Sequence, residues 1–440
     1  MTSVELPSRR TFLAAAGVAG VAVAGLPVGA RPAVGATAAP AASPSVAARR
    51  ALAFLSAAVD ASPAAAGAPA LARSYADQLG LGALAFVADS AAAVCACLAA
   101  AHVSPSAATT ATRLGDALVA VLEDAGGGAF VRQAYDVTDG TLAPATAPGL
   151  DAARTGDAAR VGIALAHLSA RTGSPAYLDG ARRLGRWVAG PSGAGRTSVD
   201  GAGRPLVGGE TVQEVEAAAL FGLLASLDPM GGWPAARAAA SGAVESATRP
   251  HGFLGASRDQ GSPDTVAPVD QSALAYLVLG DKYSGGADRS LAVAAGSGAR
   301  GRATRVSASA PSNAAAVFAG PDLAAVASMP GIDVYEPGVW TEGTARLAVS
   351  LRARGGTAGA AAADRLLAVL RSAQAQAGAG QTLGGAAVPT GSGIVAGWTV
   401  PDPDAGVDAF EVVHTGATAW FLLAQLGANP YALGGLDLAG

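Results

Sequence analysis

Cysteine is all but missing from this 440-residue chain, with only Cys95 and Cys97 present. In VCACL they stand two apart, so on a helix they face nearly opposite ways and cannot readily pair. No His or acid accompanies them at metal-ligand spacing. They read as small buried hydrophobes, which leaves the chain without a structural disulfide. Charge is sparse at 14%, the net charge is −4 and the pI is near 5.6. No basic stripe with interleaved aromatics appears, which excludes a nucleic-acid groove. The chain is 51% hydrophobic with a mean hydropathy of +0.37. Even so, the apolar runs break at Gly, Pro or a charge before the roughly 20 residues of a membrane span. No G-x-S-x-G elbow, P-loop or kinase signature occurs. The four histidines are scattered, and no D-x-D-x-D loop exists, so no metal site and no cofactor are expected.

The N-terminus carries the most specific local signal. Ser8-Arg9-Arg10-Thr11-Phe12-Leu13 precedes AAAGVAGVAVAGL. This resembles a twin-arginine export signal, a paired arginine before a weakly hydrophobic stretch and small residues. Residues 1–38 are therefore expected to be a signal peptide handled by the twin-arginine machinery. The mature protein is then secreted or otherwise outside the cytoplasm, with no transmembrane segment. Residues 39–45 read as an Ala/Pro linker.

From residue 46 to 440 the chain reads as one all-α domain of two alternating kinds of helix. One kind is small and apolar on nearly every side: SAAAVCACLAAA, ARVGIALAHLSA, VEAAALFGLLASL, QSALAYLVLG, TARLAVSL and TGATAWFLLAQLG. Such helices are buried all round. The other kind, as in YLDGARRLGRWVAG and AADRLLAVLRSAQAQ, carries charges on one face and lies outside. About six inner and six outer helices recur every 55–70 residues, roughly, which indicates a closed ring or repeat. Helix is expected over 157–172, 175–189, 211–227 and 287–295, among others. Strand-like alternation is scarce, with Thr304–Ser309 the one short candidate.

Four phrases then carry a resemblance. They are TGDAARVGIALAHLSARTGSPAYLDGARRLGRWV from Thr155, PVDQSALAYLVLGDKY from Pro268, GVWTEGTARLAVSLRARG from Gly338 and HTGATAWFLLAQLGANPY from His414. The chain resembles the six-hairpin glycosidase-like superfamily, an (α/α)6 toroid. That resemblance implies a poly- or oligosaccharide as partner and a site at the ring mouth, where inner helices begin. It implies no single catalytic set, because fold does not fix chemistry. One departure stands out. The third inner helix begins GGETVQEVEAAALF, with Gln213 and Glu214 where related sequences suggest an acid followed by His and Asn.

Acids crowd the inner-helix starts: Asp77, Asp89, Asp157, Glu210, Glu214, Asp270, Glu342, Asp408 and Glu411. Glycoside hydrolysis uses two carboxyl groups, one as acid and one as base or nucleophile. Glu342 is the first catalytic candidate because Trp340 beside it offers a flat face for a sugar. Asp270 and Asp89 follow, and Asp157 reads as a plain N-cap. The competing reading is capping, since an acid in a helix's first turn gains about 0.3–1 kcal/mol from the macrodipole. Tyr75, Tyr335, Trp340 and Trp398 are the substrate-stacking candidates. His414 stands near the start of the last inner helix, within reach of the mouth. His102 and His167 read as structural. A polysaccharide lyase using His414 or a tyrosine, and a non-catalytic glycan-binding protein, remain as alternatives.

Overall fold

The computed structural model describes residues 45–65, 67–79, 81, 83–146, 149–190, 198–206, 211–248, 270–283, 339–398 and 411–437. These hold eleven α-helices. They are α1 (Val46–Asp60), α2 (Val87–Ala100), α3 (Pro105–Ala120), α4 (Thr155–Thr172), α5 (Pro175–Ala189) and α6 (Thr211–Leu227), then α7 (Trp233–Ser246), α8 (Gln271–Leu279), α9 (Thr341–Arg354), α10 (Gly356–Gln376) and α11 (Thr415–Leu426).

Local signals set the helix ends. Ser45 caps α1 by accepting the Ala48 amide at 3.1 Å. Proline opens α3 and α5, where its missing N–H costs nothing. Gly173, with φ 70°, ends α4 in the left-handed conformation that residues with a Cβ avoid.

Burial then sorts the helices. Nearly all of α2, from Val87 to Ala100, is buried, as are most residues of α4, α6, α9 and α11. In α5 the buried residues Tyr177, Ala181, Leu184 and Val188 recur every three or four positions, which is one face only. The packing follows. Helix α2 packs on α4, α4 on α6, α6 on α8, α8 on α9, α9 on α11, and α11 back on α2. Six apolar helices thus close a ring. Helices α3, α5, α7 and α10 each pack behind the inner helix that precedes them, and α1 packs behind α11. The first helix so seals the ring against the last, as an (α/α)6 toroid requires. The sixth outer helix, expected at 287–295, and the strand expected at 304–309 fall outside the described residues.

Short strands occupy the approaches to the inner helices. Strand β1 (Leu84–Phe86) runs directly into α2 and pairs antiparallel with β4 (Ala134–Asp136), which pairs with β5 (Ala143–Pro144). β2 (Glu123–Ala125) and β3 (Gly128–Phe130) form a hairpin. β6 (Val339–Trp340) runs into α9, and β11 (Val413–His414) runs into α11. They pair with β10 (Gly397–Trp398) and β9 (Ile394–Val395) respectively, while β7 (Thr382–Leu383) pairs with β8 (Ala386–Ala387). Strands of two or three residues are too short to show alternation, so the sequence could not mark them.

Candidate active site

The inner-helix starts bring three ionic clusters to the ring axis. In the first, Asp89 is the third residue of α2 and His414 stands immediately before α11. The His414 Nε2 lies 3.1 Å from Asp89 Oδ2, and its Nδ1 accepts the Ala417 amide at 3.2 Å. That pattern assigns the proton to Nε2. Burial works against charge on His414, but Asp89 and then Glu342 outweigh it, and its pKa is raised. Gly416 makes the approach feasible, because a β-carbon there would overlap Asp89 Oδ1. Tyr75 stacks on the imidazole at 4.4 Å and 12°, with Phe86 edge-on to it at 6.2 Å. Burial, then Asp89 and Glu342, push the Tyr75 phenol well above its ordinary pKa.

In the second cluster, Arg346 binds two carboxylates at once. Its Nη1 donates to Asp270 Oδ2 at 2.7 Å and its Nη2 donates to Glu342 Oε1, one turn back on α9. All three side chains are buried. Burial opposes the guanidinium charge, yet Glu342 and Asp270 outweigh it and raise its pKa. The guanidinium also lies 4.9 Å over the Trp420 ring, a cation–π contact.

The third cluster was not anticipated. Arg160 donates from Nε to Glu216 Oε1 at 2.6 Å and from Nη1 to Asp157 Oδ1 at 3.4 Å. Burial raises Glu216 to about 7 against the pull of Arg160 and Arg346. Burial also raises Asp157, despite Arg160 and Arg154. Asp157 is therefore not a plain N-cap. The cap position of α4 is Arg154, with no side-chain cap bond, and Asp157 is a buried partner of Arg160. Helices α4 and α9 stand opposite each other in the ring order, so Arg160 and Arg346 approach the axis from opposite sides. A sequence signal existed. Four inner helices start with threonine (Thr155, Thr211, Thr341 and Thr415), and counting from it puts Arg160, Glu216, Arg346 and Trp420 all at the sixth place.

The other candidates divide. Trp340 is half-buried and its ring folds over Gly343, where a β-carbon would overlap it. Tyr335, Glu210, Asp408 and the Trp398 side chain lie outside the described residues. Asp77 does not join the axis. It accepts the amides of Gly384 and Gly385 at 3.0 and 2.9 Å, tying down the β7–β8 turn. Burial would raise its pKa, but those amides, with Thr382 and Arg73, lower it overall. Gln213 takes a hydrogen bond from Ser198 at 3.2 Å. His167 holds the Pro430 carbonyl at 2.7 Å and His102 the Ala99 carbonyl at 2.8 Å, both structural contacts. Cys95 and Cys97 are free and buried, and burial pushes both thiols up to about 12. Among the described residues no group of three or more His, Cys, Asp or Glu could hold a metal ion. Nor is any described helix long and apolar enough to cross a membrane. A cavity of about 350 Å³ lies at the far ends of α2 and α4, lined by Leu98, His167, Arg171 and Asp437. Its acid already pairs with Arg171 at 3.2 Å, so it offers no free carboxyl pair.

No family model matches the chain, and no curated protein matches its sequence. Solved structures do match in shape. A sugar epimerase from a ruminal bacterium superposes with a TM-score of 0.55 at 13% identity, covering 86% of this chain and 97% of its own. An α-mannanase from Bacteroides thetaiotaomicron gives 0.55 at 11% identity, covering 86% and 95%. A cellobiose 2-epimerase from Spirochaeta thermophila gives 0.53 at 11% identity, covering 86% and 97%. Together with the closed ring of six inner helices, these likenesses establish the fold as an (α/α)6 toroid of the six-hairpin glycosidase type.

Proposed function

We propose that the protein is a carbohydrate-active enzyme, a glycoside hydrolase working at the inner-helix starts. The observation that carries this reading is the meeting of Glu342 and Asp270, from neighbouring inner helices, on one guanidinium. Hydrolysis uses two carboxyl groups within roughly 10 Å of each other, and two groups on one guanidinium meet that limit. Arg346 supplies both with a counter-charge, the setting of a base or nucleophile. The acid must keep a proton near neutral pH. Glu216, which burial raises to about 7, is shifted that way. The acid protonates the glycosidic oxygen as the bond to the anomeric carbon breaks. Water, losing its proton to a carboxylate, completes the new bond. That the fold's solved examples include an α-mannanase and two sugar epimerases supports a sugar as substrate. The test is product release from neutral and acidic polysaccharides by the protein and by Glu342→Gln, Asp270→Asn and Asp89→Asn. New reducing ends that fall at least a hundredfold in Glu342→Gln support the reading, and wild-type rates in that variant overturn it.

The Tyr75–His414–Asp89 stack favours a second reading, proton abstraction at a sugar carbon with His414 as base. Ultraviolet-absorbing ends would mark a lyase. An isomerised sugar with no new ends would mark an epimerase. No turnover of any sugar would leave a binding protein on this scaffold. We also propose that residues 1–38 export the protein by the twin-arginine pathway. Retention of the chain in the cytoplasm after R9K/R10K would support that, and unaffected export would refute it.

A further inference from the structure

Resting on that carbohydrate reading, we infer that the site is a blind pocket for one uncharged sugar unit, with Tyr431 as its floor. After α11 the chain turns at Gly427, with φ 72°, and the Ala428 amide bonds back to Leu423 at 3.0 Å. Asn429 then organises a tight return. Its Oδ1 accepts the Tyr431 amide and its own amide donates to Gly435, each at 3.0 Å. His167, in the far half of α4, holds the Pro430 carbonyl at 2.7 Å. The segment is thereby pinned beneath the ring, and its one large ring turns inward. Tyr431 packs against Trp420 at 5.9 Å, on the ring that carries Arg346. Its hydroxyl makes no hydrogen bond among the described residues and is not among the fully buried unpartnered polar atoms, and the residue as a whole keeps 9% of its surface accessible. Arg160 likewise keeps 26% of its side chain accessible. The charges of Glu216, Arg346, Arg160 and Asp270 all bear on the Tyr431 phenol, which places it at the axis, and a polar hydroxyl without a partner is a group waiting for a ligand.

Depth and charge define the occupant. Asp89 and Glu342 lie at the third and second places of their helices, whereas Arg160, Glu216, Arg346 and Trp420 lie at the sixth. Three or four residues of helix rise about 5 Å. That rise matches the depth of one pyranose ring above Tyr431. Among the described residues, four carboxyl groups (Asp89, Asp157, Asp270 and Glu342) stand around this space against two guanidinium groups (Arg160 and Arg346), with Glu216 holding its proton. The imidazole of His414 adds no charge in its Nε2–H form. The field is negative, so it disfavours a uronate and accepts a neutral sugar whose hydroxyls donate to carboxylates.

The test is calorimetric binding of the full chain to mannose, glucose, galactose and glucuronate, and to mannotetraose with free or bulky-blocked ends, beside Tyr431→Phe. The inference expects at least one neutral monosaccharide to bind and glucuronate to bind at least tenfold more weakly. It also expects blocking both ends of mannotetraose to abolish binding. Tyr431→Phe, with an unchanged melting curve, should weaken the monosaccharide by about two- to tenfold, the worth of one hydrogen bond. End-blocked chains binding as well as free ones, or glucuronate matching the neutral sugars, overturns the pocket while leaving the carbohydrate reading intact. Wild-type affinity in Tyr431→Phe overturns the floor. Binding to none of the probes overturns both.

Discussion

Arg346→Met removes the cation and keeps the length of the side chain's apolar stem. In the wild type the side chains of Arg346, Asp270 and Glu342 are only 6%, 4% and 8% exposed. The variant leaves two carboxylates on neighbouring helices with no counter-charge. Breaking one buried ion pair by removing a partner costs about 3–5 kcal/mol. Two carboxylates share this cation, which puts the loss at the upper end, and proton uptake by one of them limits it there. For a chain of 440 residues unfolding as a unit, the unfolding entropy is roughly 0.9 kcal/mol per kelvin. The expected fall in Tm is therefore about 5 °C at pH 8. The pH dependence follows from the sign of the change. Without Arg346, burial and mutual repulsion act unopposed on the two carboxyl groups and disfavour their charged forms. The penalty is then absent below about pH 4 and grows as pH rises. Scanning calorimetry at pH 5 and pH 8 should show the larger deficit at pH 8. The triple variant R346M/E342Q/D270N, which removes all three charges, should recover most of it. A fall under 1 °C, or an equal deficit at both pH values, would refute the idea that this guanidinium neutralises both acids.

Two further outcomes follow from the same axis. Gly416→Ala places a β-carbon onto Asp89 Oδ1, an overpacking that costs about 1–3 kcal/mol. It should also part Asp89 from His414, lowering the imidazole pKa in an NMR titration, and an unmoved titration would show that Gly416 does not position the pair. Folded Glu216 keeps its proton to about pH 7, whereas the unfolded chain releases it near 4.3, roughly. Between those values the folded state binds more protons, so this group's stabilisation is complete at low pH, falls as pH rises and is lost above pH 7. Glu216→Gln should flatten that part of the curve, gaining on the wild type from pH 5 to pH 8, as read by denaturant melts; a parallel pair of curves would put the proton elsewhere.

The inner helices were legible because burial on every side leaves a run with almost no polar residue. The expected spans 175–189 and 211–227 coincide with α5 and α6, and 157–172 misses only the first two residues of α4. The alternation of wholly apolar and one-faced helices carried the ring, since only a closed ring buries six helices completely. The strands were not legible, because two residues carry no period. The charged axis was half legible. Glu342, Asp270, Asp89 and His414 stand at helix starts, where local sequence flags them. Arg160, Glu216 and Arg346 lie inside apolar helices, where each looks like an isolated interruption. Their meaning appears only when ring closure faces the sixth residue of one helix toward the sixth of another. Asp77 was misplaced for the converse reason. Its spacing suits a helix start, but it opens only the 3-10 turn Asp77–Leu79, and its carboxylate ties the amides of the β7–β8 turn.

Glu342 also separates capping from chemistry. A capping acid accepts backbone N–H groups and stays wet, and the macrodipole alone gives it about 0.3–1 kcal/mol. The cap residue of α9 is Trp340, with no side-chain cap bond, and the Glu342 carboxylate goes to a guanidinium one turn along. Burying a carboxylate and a guanidinium costs several kcal/mol per ion even after relaxation. The macrodipole cannot offset that, and the mutual attraction offsets it only partly, so a hydrophobic pair of similar volume would serve folding as well. Arg160 with Glu216 and Asp157 repeats the same uneconomical arrangement across the axis. One such cluster could be an accident of packing. Two clusters facing each other, with a histidine–aspartate pair beside them and a charged or titratable group in or just before every inner helix, fit the proposed site that uses the charges better than a fold that needs them.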